Sequence, residues 1–182
     1  NRCLVGSEMC IRDRHNIGFK IIDAINSKFK LSKQKPKFKG LLTTGNINEK
    51  KVYAIKPLTF MNNSGICIRE LIEYFKIEAE NIIVFHDDLD IDFGKIKTKF
   101  GGSSAGHNGI ESIDKFIGKD YSRVRIGIGK PNDKIAVSDY VLKDFDDDEK
   151  QQLETLKNNI TENLAILIDK KLDLFSSTVN NK

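Results

Sequence analysis

The chain predicts a single-domain three-layer α/β/α sandwich built on a mixed, mostly parallel twisted sheet. Three observations carry that expectation. Strand and helix patterns alternate along the 182 residues, as they do where helices cover both faces of a sheet. Ile82-Ile83-Val84-Phe85 is a continuous apolar run, the pattern of a strand buried on both faces. No repeat, low-complexity linker or composition shift marks a second unit, and this length closes one sizeable core.

The elements follow in order. Ile17, Ile21, Ile22, Ile25 and Phe29 recur at helical spacing, so an amphipathic helix is expected over roughly 16–30. Gly40–Thr44 and Lys51–Ile55 read as two short strands of a hairpin around a Gly45-Asn46 turn. Ile68, Leu71, Ile72 and Phe75 mark a second helix over about 63–76. The apolar run at 82–85 then stops abruptly at His86-Asp87-Asp88. In open α/β sheets, ligand sites form beyond the carboxyl ends of strands, which is where Asp87 falls.

Ile96–Phe100 is a further strand, followed by a Gly101–Gly106 loop and a helix over about 107–117. Val124–Gly129 is another strand, whose glycines suggest close backbone approach. A long helix is expected over about 146–171. Asp146, Asp147, Asp148 and Glu149 cover its first turn, where negative charge suits the helix dipole.

Composition narrows the classes. With 39% hydrophobic and 31% charged residues the chain reads as an ordinary soluble globule. No apolar run approaches the ~18 residues of a membrane helix, and no secretory h-region opens the chain. The expectation is a cytoplasmic protein with no membrane partner. Cys3, Cys10 and Cys67 form an odd set without C-x-x-C spacing, which supports neither a disulfide framework nor a zinc site. The net charge of +4 is modest but uneven. Lysines crowd positions 28–39, and Lys95, Lys97 and Lys99 alternate along one strand face, an arrangement able to follow a phosphate backbone.

All three histidines stand beside an Asn or Asp: His15-Asn16, His86-Asp87 and His107-Asn108. Histidine takes and returns a proton near neutral pH. A carboxylate can fix its tautomer, and carboxamides can orient a polar substrate without competing for that proton. Asn16, Asn62 or Asn63, and Asn108 also stand at expected helix starts, so each could equally be a cap.

Three other chemistries are weighed against this pattern. Gly102-Ser103-Ser104-Ala105-Gly106 matches the G-x-S-x-G elbow. The only later histidine is His107, too close to act as a separate base, and the preceding strand alternates with lysine. Asp88–Gly94 resembles a calcium loop, but Phe93 stands at its sixth place and Lys99 at its twelfth. A metal-dependent hydrolase using Asp87, Asp88 and Asp90 lacks a His- or Glu-rich partner motif.

Five ordered segments together resemble the bacterial-type peptidyl-tRNA hydrolase family. They are Arg14–Gly18, Lys56–Gly65, His86–Asp90, Gly106–Ile110 and Arg123–Pro131, and the resemblance covers roughly residues 14–175. It implies hydrolysis of the ester joining a peptide to the tRNA 3′ end, by His-activated water, with no metal or cofactor. His15 would be the base and Asp87 its orienting carboxylate. Asn62 and Asn108 would bind the substrate's peptide and terminal nucleotide, with Phe60 beside them and His107 supporting the site. Lys97, Lys99, Arg125 and Lys134 would contact acceptor-stem phosphates. The partner is then peptidyl-tRNA, and family precedent favours a monomer. The alternative is a non-catalytic RNA-binding relative of the same fold, although pure binding needs no base–orienter pair.

The amino terminus departs from the family. A strand running into a G-N-P-G loop and then a Tyr are expected before Arg-His-Asn. Here the loop reads Leu4–Asp13, with Val5 where the Asn belongs and Cys10 where the Tyr belongs. That stretch resembles a translated sequencing adapter. Residues 1–13 are therefore expected to be an aberrant or artefactual terminus, and 14–182 the catalytic domain.

Overall fold

The computed structural model describes residues 1–6, 14–131 and 135–181. Seven strands form one sheet: β1 Arg2–Gly6, β2 Lys35–Lys37, β3 Gly40–Ile47, β4 Lys50–Pro57, β5 Ile82–Asp88, β6 Ile96–Phe100 and β7 Ser122–Gly127. Their spatial order is β2-β3-β4-β1-β5-β7-β6. The inner strands β4, β1, β5 and β7 are mutually parallel. The pairs β2/β3, β3/β4 and β6/β7 are antiparallel, giving the mixed character.

The apolar run in β5 is buried on both faces, as its lack of alternation requires. Ile83 and Phe85 enter one core, while Ile82 and Val84 enter the other. Burying each such side chain contributes about 1.5–3 kcal/mol before ordering entropy is counted.

Among the described residues seven α-helices cover the sheet: α1 Ile17–Lys28, α2 Ser64–Phe75, α3 Asn108–Ile117, α4 Val137–Val141, α5 Asp147–Glu162, α6 Leu164–Ile168 and α7 Leu172–Asn180. Apolar residues of α1, α5, α6 and α7 build the core on one face. Those of α2 and α3 build the core on the other. Both faces are thus covered, which makes the three layers.

Two close backbone contacts fix parts of the site. A Cβ on Gly6, at the end of β1, would stand 2.5 Å from the Gly18 carbonyl oxygen. A Cβ on Gly65 would stand 2.3 Å from the Ser112 carbonyl oxygen. The Gly65 amide also donates to Ser112 Oγ at 3.0 Å, so α2 and α3 touch backbone to side chain without an intervening group.

The fold departs from the sequence expectations at four places. The hairpin turns at Asn48-Glu49, not Gly45-Asn46: both turn residues have positive φ (48° and 63°), and Ile47 pairs with Lys50. Gly45 lies within β3 because Leu31 covers it; a Cβ there would meet Leu31 Cδ2 at 2.5 Å. The helix expected over 146–171 breaks at Asn163, whose Nδ2 donates to the Asn159 carbonyl at 2.8 Å. Leu4–Gly6, expected in a loop, belong to β1, with Leu4 and Val5 fully buried between β4 and β5. The short elements β2 and α4 and the terminal α7 were not anticipated. All three β2 residues are exposed, so there was no alternation to read.

Candidate active site

The C-terminal end of β5 lies mid-sheet, between β1 and β7. It carries Asp87 into a cleft of about 830 Å³, within the usual range of small-ligand sites. His15 reaches the same cleft from a 3-10 turn, Arg14–Asn16, that leads into α1. His107 and Asn108 reach it from the start of α3.

The turn carrying His15 is held from both sides. The Arg14 amide donates to the Lys143 carbonyl at 3.1 Å. Its guanidinium forms a forked pair with Glu149 at 2.6 and 2.7 Å and lies 4.5 Å from the Tyr140 ring centre. Glu149 also closes a capping box with Asp146 at the start of α5. The acidic first turn thus caps the helix and anchors the residue before His15.

Asp87 is 3% exposed and sits between two imidazoles. His15 Nδ1 lies 2.8 Å from Oδ2, and His107 Nε2 lies 3.0 Å from Oδ1. Burial alone would push this carboxyl up. The positive influence of His107, with hydrogen bonds from His107 and His15, outweighs it and holds the group below the usual carboxylate range.

The tautomer of His107 follows from its surroundings. Its Nδ1 accepts the Ile110 amide at 3.2 Å as the cap of α3. A backbone N–H can only donate, so neutral His107 carries its proton on Nε2 and donates it to Asp87. His15 Nδ1 faces Asp87 Oδ2 at 2.8 Å, so a proton on Nδ1 would point at the carboxylate and leave Nε2 unprotonated. His86 is different in kind. It is 4% exposed, its Nδ1 donates to the Asp87 carbonyl at 2.8 Å, and Nε2 has no hydrogen-bond partner among the described residues. Burial, with the neighbouring His107, pushes its pKa down to about 3.

Among the described residues, His15, Asp87 and His107 place possible metal-ligand atoms within 4.8 Å of one another. The donor set does not suit a metal, because His107 Nε2 carries the proton that Asp87 accepts. The aspartates weighed for a two-metal site do not converge either. Asp88 Oδ2 accepts from Arg125 Nε at 2.7 Å, while Asp90 pairs with Lys130 at 2.8 Å. Ser104 lines the cleft, but both ring nitrogens of His107, the only histidine after it in the chain, are already engaged.

The structure brings His15, Asp87, His107 and Asn108 to one cleft. Phe60 is 79% exposed and Asn62 is exposed in the Met61–Asn63 turn; neither lines that cleft. The turn packs beside α3, through the Gly65–Ser112 contact that follows it. Cap roles do not occupy the asparagines: Asn16 and Asn63 stand at cap positions without side-chain cap bonds, and α3 is capped by His107. Lys97 and Lys99 are exposed on β6, and Lys97 stands directly opposite Arg125 on β7. Lys134 and Cys10 lie outside the described residues.

Sequence reasoning missed the apolar wall of the cleft, where Val137, Val141 and Leu142 lie in or directly after α4. That helix is five residues long, too short for a readable period. It also missed Arg14–Glu149 and Asp88–Arg125, which join segments 135 and 37 residues apart. No local pattern signals such pairs.

Comparison with known proteins gives a consistent picture. The family profile described as peptidyl-tRNA hydrolase matches residues 9–182. A peptidyl-tRNA hydrolase of Pelagibacter ubique is 80% identical over 170 residues, covering 93% of this chain and 91% of its own. One from Ehrlichia canis is 46% identical over 171 residues, covering 92% and 86%. The crystal structure of peptidyl-tRNA hydrolase from Acinetobacter baumannii superposes with a TM-score of 0.90 at 30% identity, covering 98% of this chain and 94% of that one.

Proposed function

The chain belongs to the peptidyl-tRNA hydrolase family, and from that membership we propose that His15 is its general base, oriented by Asp87. The enzyme hydrolyses the ester bond of peptidyl-tRNA, releasing the peptide and recycling the tRNA. The single observation that carries the assignment of roles is the Asp87 carboxylate held between His15 and His107.

In the proposed mechanism His15 Nδ1–H donates to Asp87 Oδ2, and His15 Nε2 takes a proton from water as its oxygen attacks the ester carbonyl. The imidazolium is stabilised by the buried carboxylate. The carboxamide NH₂ of Asn108, which lines the cleft, donates to the developing oxyanion, while Asn62 binds the substrate outside it. Collapse expels the 3′-oxygen of the terminal ribose, which takes the proton back from His15 Nε2. General-base help of this kind is typically ~10²–10⁴-fold. An ester is already activated relative to an amide, so no metal or covalent nucleophile is required.

Lys97, Lys99, Arg125 and Lys134 are the proposed contacts to acceptor-stem phosphates, attracting tRNA without reading bases. Phe60 is proposed to pack beside Asn62 against the substrate. We read the catalytic domain as residues 14–182, completed by β1, acting as a monomer in the cytoplasm. No helix among the described residues is long and apolar enough to cross a membrane.

Release of an N-blocked amino acid from blocked aminoacyl-tRNA, with and without EDTA, tests this reading. Release unaffected by chelator is expected. Tight tRNA binding without release would favour the non-catalytic relative, and loss of release with chelator would favour metal chemistry.

A further inference from the structure

The basic stretch at 28–39 takes no part in the site described above. It lies at the opposite edge of the sheet from Lys97, Lys99 and Arg125: β2 closes one end of the strand order, and β6 the other. Six strand spacings separate these edges, about 29 Å. We propose that the β2 edge is a second RNA-docking surface, engaging phosphates of an RNA segment other than the one held along β6 and β7.

Four observations carry this. Every residue of β2 is exposed, and among the described residues Lys33, Lys35 and Lys37 have no ion-pair partner; the nearby Lys39 is held by Glu70. Alternate strand residues stand about 6.6 Å apart on one side, so Lys35 and Lys37 form a pair of charges, with the exposed Lys33 two residues before the strand. Lys37 is positioned: its Nζ lies 3.8 Å from the Tyr74 ring centre and 4.7 Å from that of Phe38, which limits the side-chain freedom lost on binding. Tyr74 is itself 62% exposed, leaving ring surface on which a base can stack beside the cations.

The chemistry favours RNA over an acidic peptide. Pro36 stands in the middle of β2 and offers no N–H, so a peptide cannot pair along this edge as an added strand. Unpaired lysines beside an exposed ring are the combination that binds nucleic-acid backbone without sequence reading. Lysines on an edge strand also guard against edge-to-edge aggregation, and the test separates the two roles.

Binding of a fluorescein-labelled RNA hairpin lacking a CCA end is measured by anisotropy across a KCl series, for the wild type and K33Q/K35Q/K37Q. Affinity at low salt should fall at least tenfold, and the slope of log K against log salt should shrink by roughly two to three. Release of a blocked amino acid from a short aminoacylated CCA fragment should be unchanged. K33R/K35R/K37R should keep hairpin affinity, which separates loss of charge from loss of fold. Hairpin affinity within twofold of wild type in the glutamine variant, aggregating or not, overturns the proposal and leaves edge guarding. Equal affinity for polyglutamate, lost in the same variant, also overturns it in favour of an acidic protein partner.

Discussion

Asp87 Oδ1 lies 3.0 Å from His107 Nε2, so the carboxylate that faces His15 is itself held by a histidine whose tautomer a helix cap dictates. Asparagine is a strong N-cap, so H107N should preserve α3 while losing the donor to Asp87. We expect kcat to fall about tenfold with KM little changed, within the range of general-base effects. H107A should in addition lose about 1 kcal/mol of stability with the cap. Steady-state kinetics and thermal melts of the two variants check this; unchanged kcat in H107N would separate His107 from the reaction.

The same pairing gives Asp87 a pH signature. Its folded pKa is held below the usual carboxylate range, so the stabilisation is present above about 3.9 and lost as pH falls through the folded value. Removing the His107 donor should raise the Asp87 pKa and move this loss to higher pH. Urea midpoints of wild type and H107N between pH 5 and 2.5 should show the acid transition displaced upward in the variant.

His86 acts with the same sign in a higher pH window. Burial and His107 push its folded pKa down to about 3, against ~6.5 in an unfolded chain. Between those values the unfolded chain binds a proton that the folded protein excludes, so stability rises with pH. The wild type should lose stability as pH drops from about 6.5, and H86Q should lose less over the same interval. Equal slopes in urea denaturation would show that His86 is not held neutral.

Gly65 and Ser112 set how the Asn62 turn meets α3. A Cβ at Gly65 would stand 2.3 Å from a backbone oxygen, so G65A must part the helices. We expect a loss on the order of 1–3 kcal/mol, as for overpacked cores, with a fall in kcat/KM. S112A, which removes only the hydroxyl bonded to the Gly65 amide, should cost about 1 kcal/mol and leave activity nearer wild type.

Asp88 holds Arg125 through Nε and takes the Asp90 amide at 2.9 Å on its other oxygen. D88N should loosen the guanidinium beside Lys97. We expect KM for peptidyl-tRNA to rise severalfold with kcat nearly unchanged, and a shallower dependence of binding on salt. An equal change in kcat would mean that Asp88 acts at the reaction centre.

Much of this molecule was legible in its residues. The buried strand showed in Ile82–Phe85, α1 in its isoleucine spacing, and His15, Asp87, His107 and Asn108 in motifs that the structure brings to one cleft. What stayed hidden is non-local or too short to have a period. Nothing near His107 says that Ile110 will fix its tautomer, and nothing near Arg14 points to Glu149. The turn at Asn48-Glu49 lost to Gly45-Asn46 because glycine signals a turn, whereas here it makes room for Leu31. β1 was obscured because its residues run into an atypical stretch, yet Leu4 and Val5 are fully buried in mid-sheet.

The central claim is that His15 takes the proton from water. Single-turnover release of an N-blocked amino acid from blocked aminoacyl-tRNA, comparing wild type with H15A across pH 5–9, tests it most directly. The account predicts a rate reduced by roughly 10²–10⁴ and loss of the acid limb, with tRNA affinity retained. Equal rates, or an unchanged pH profile, would contradict it.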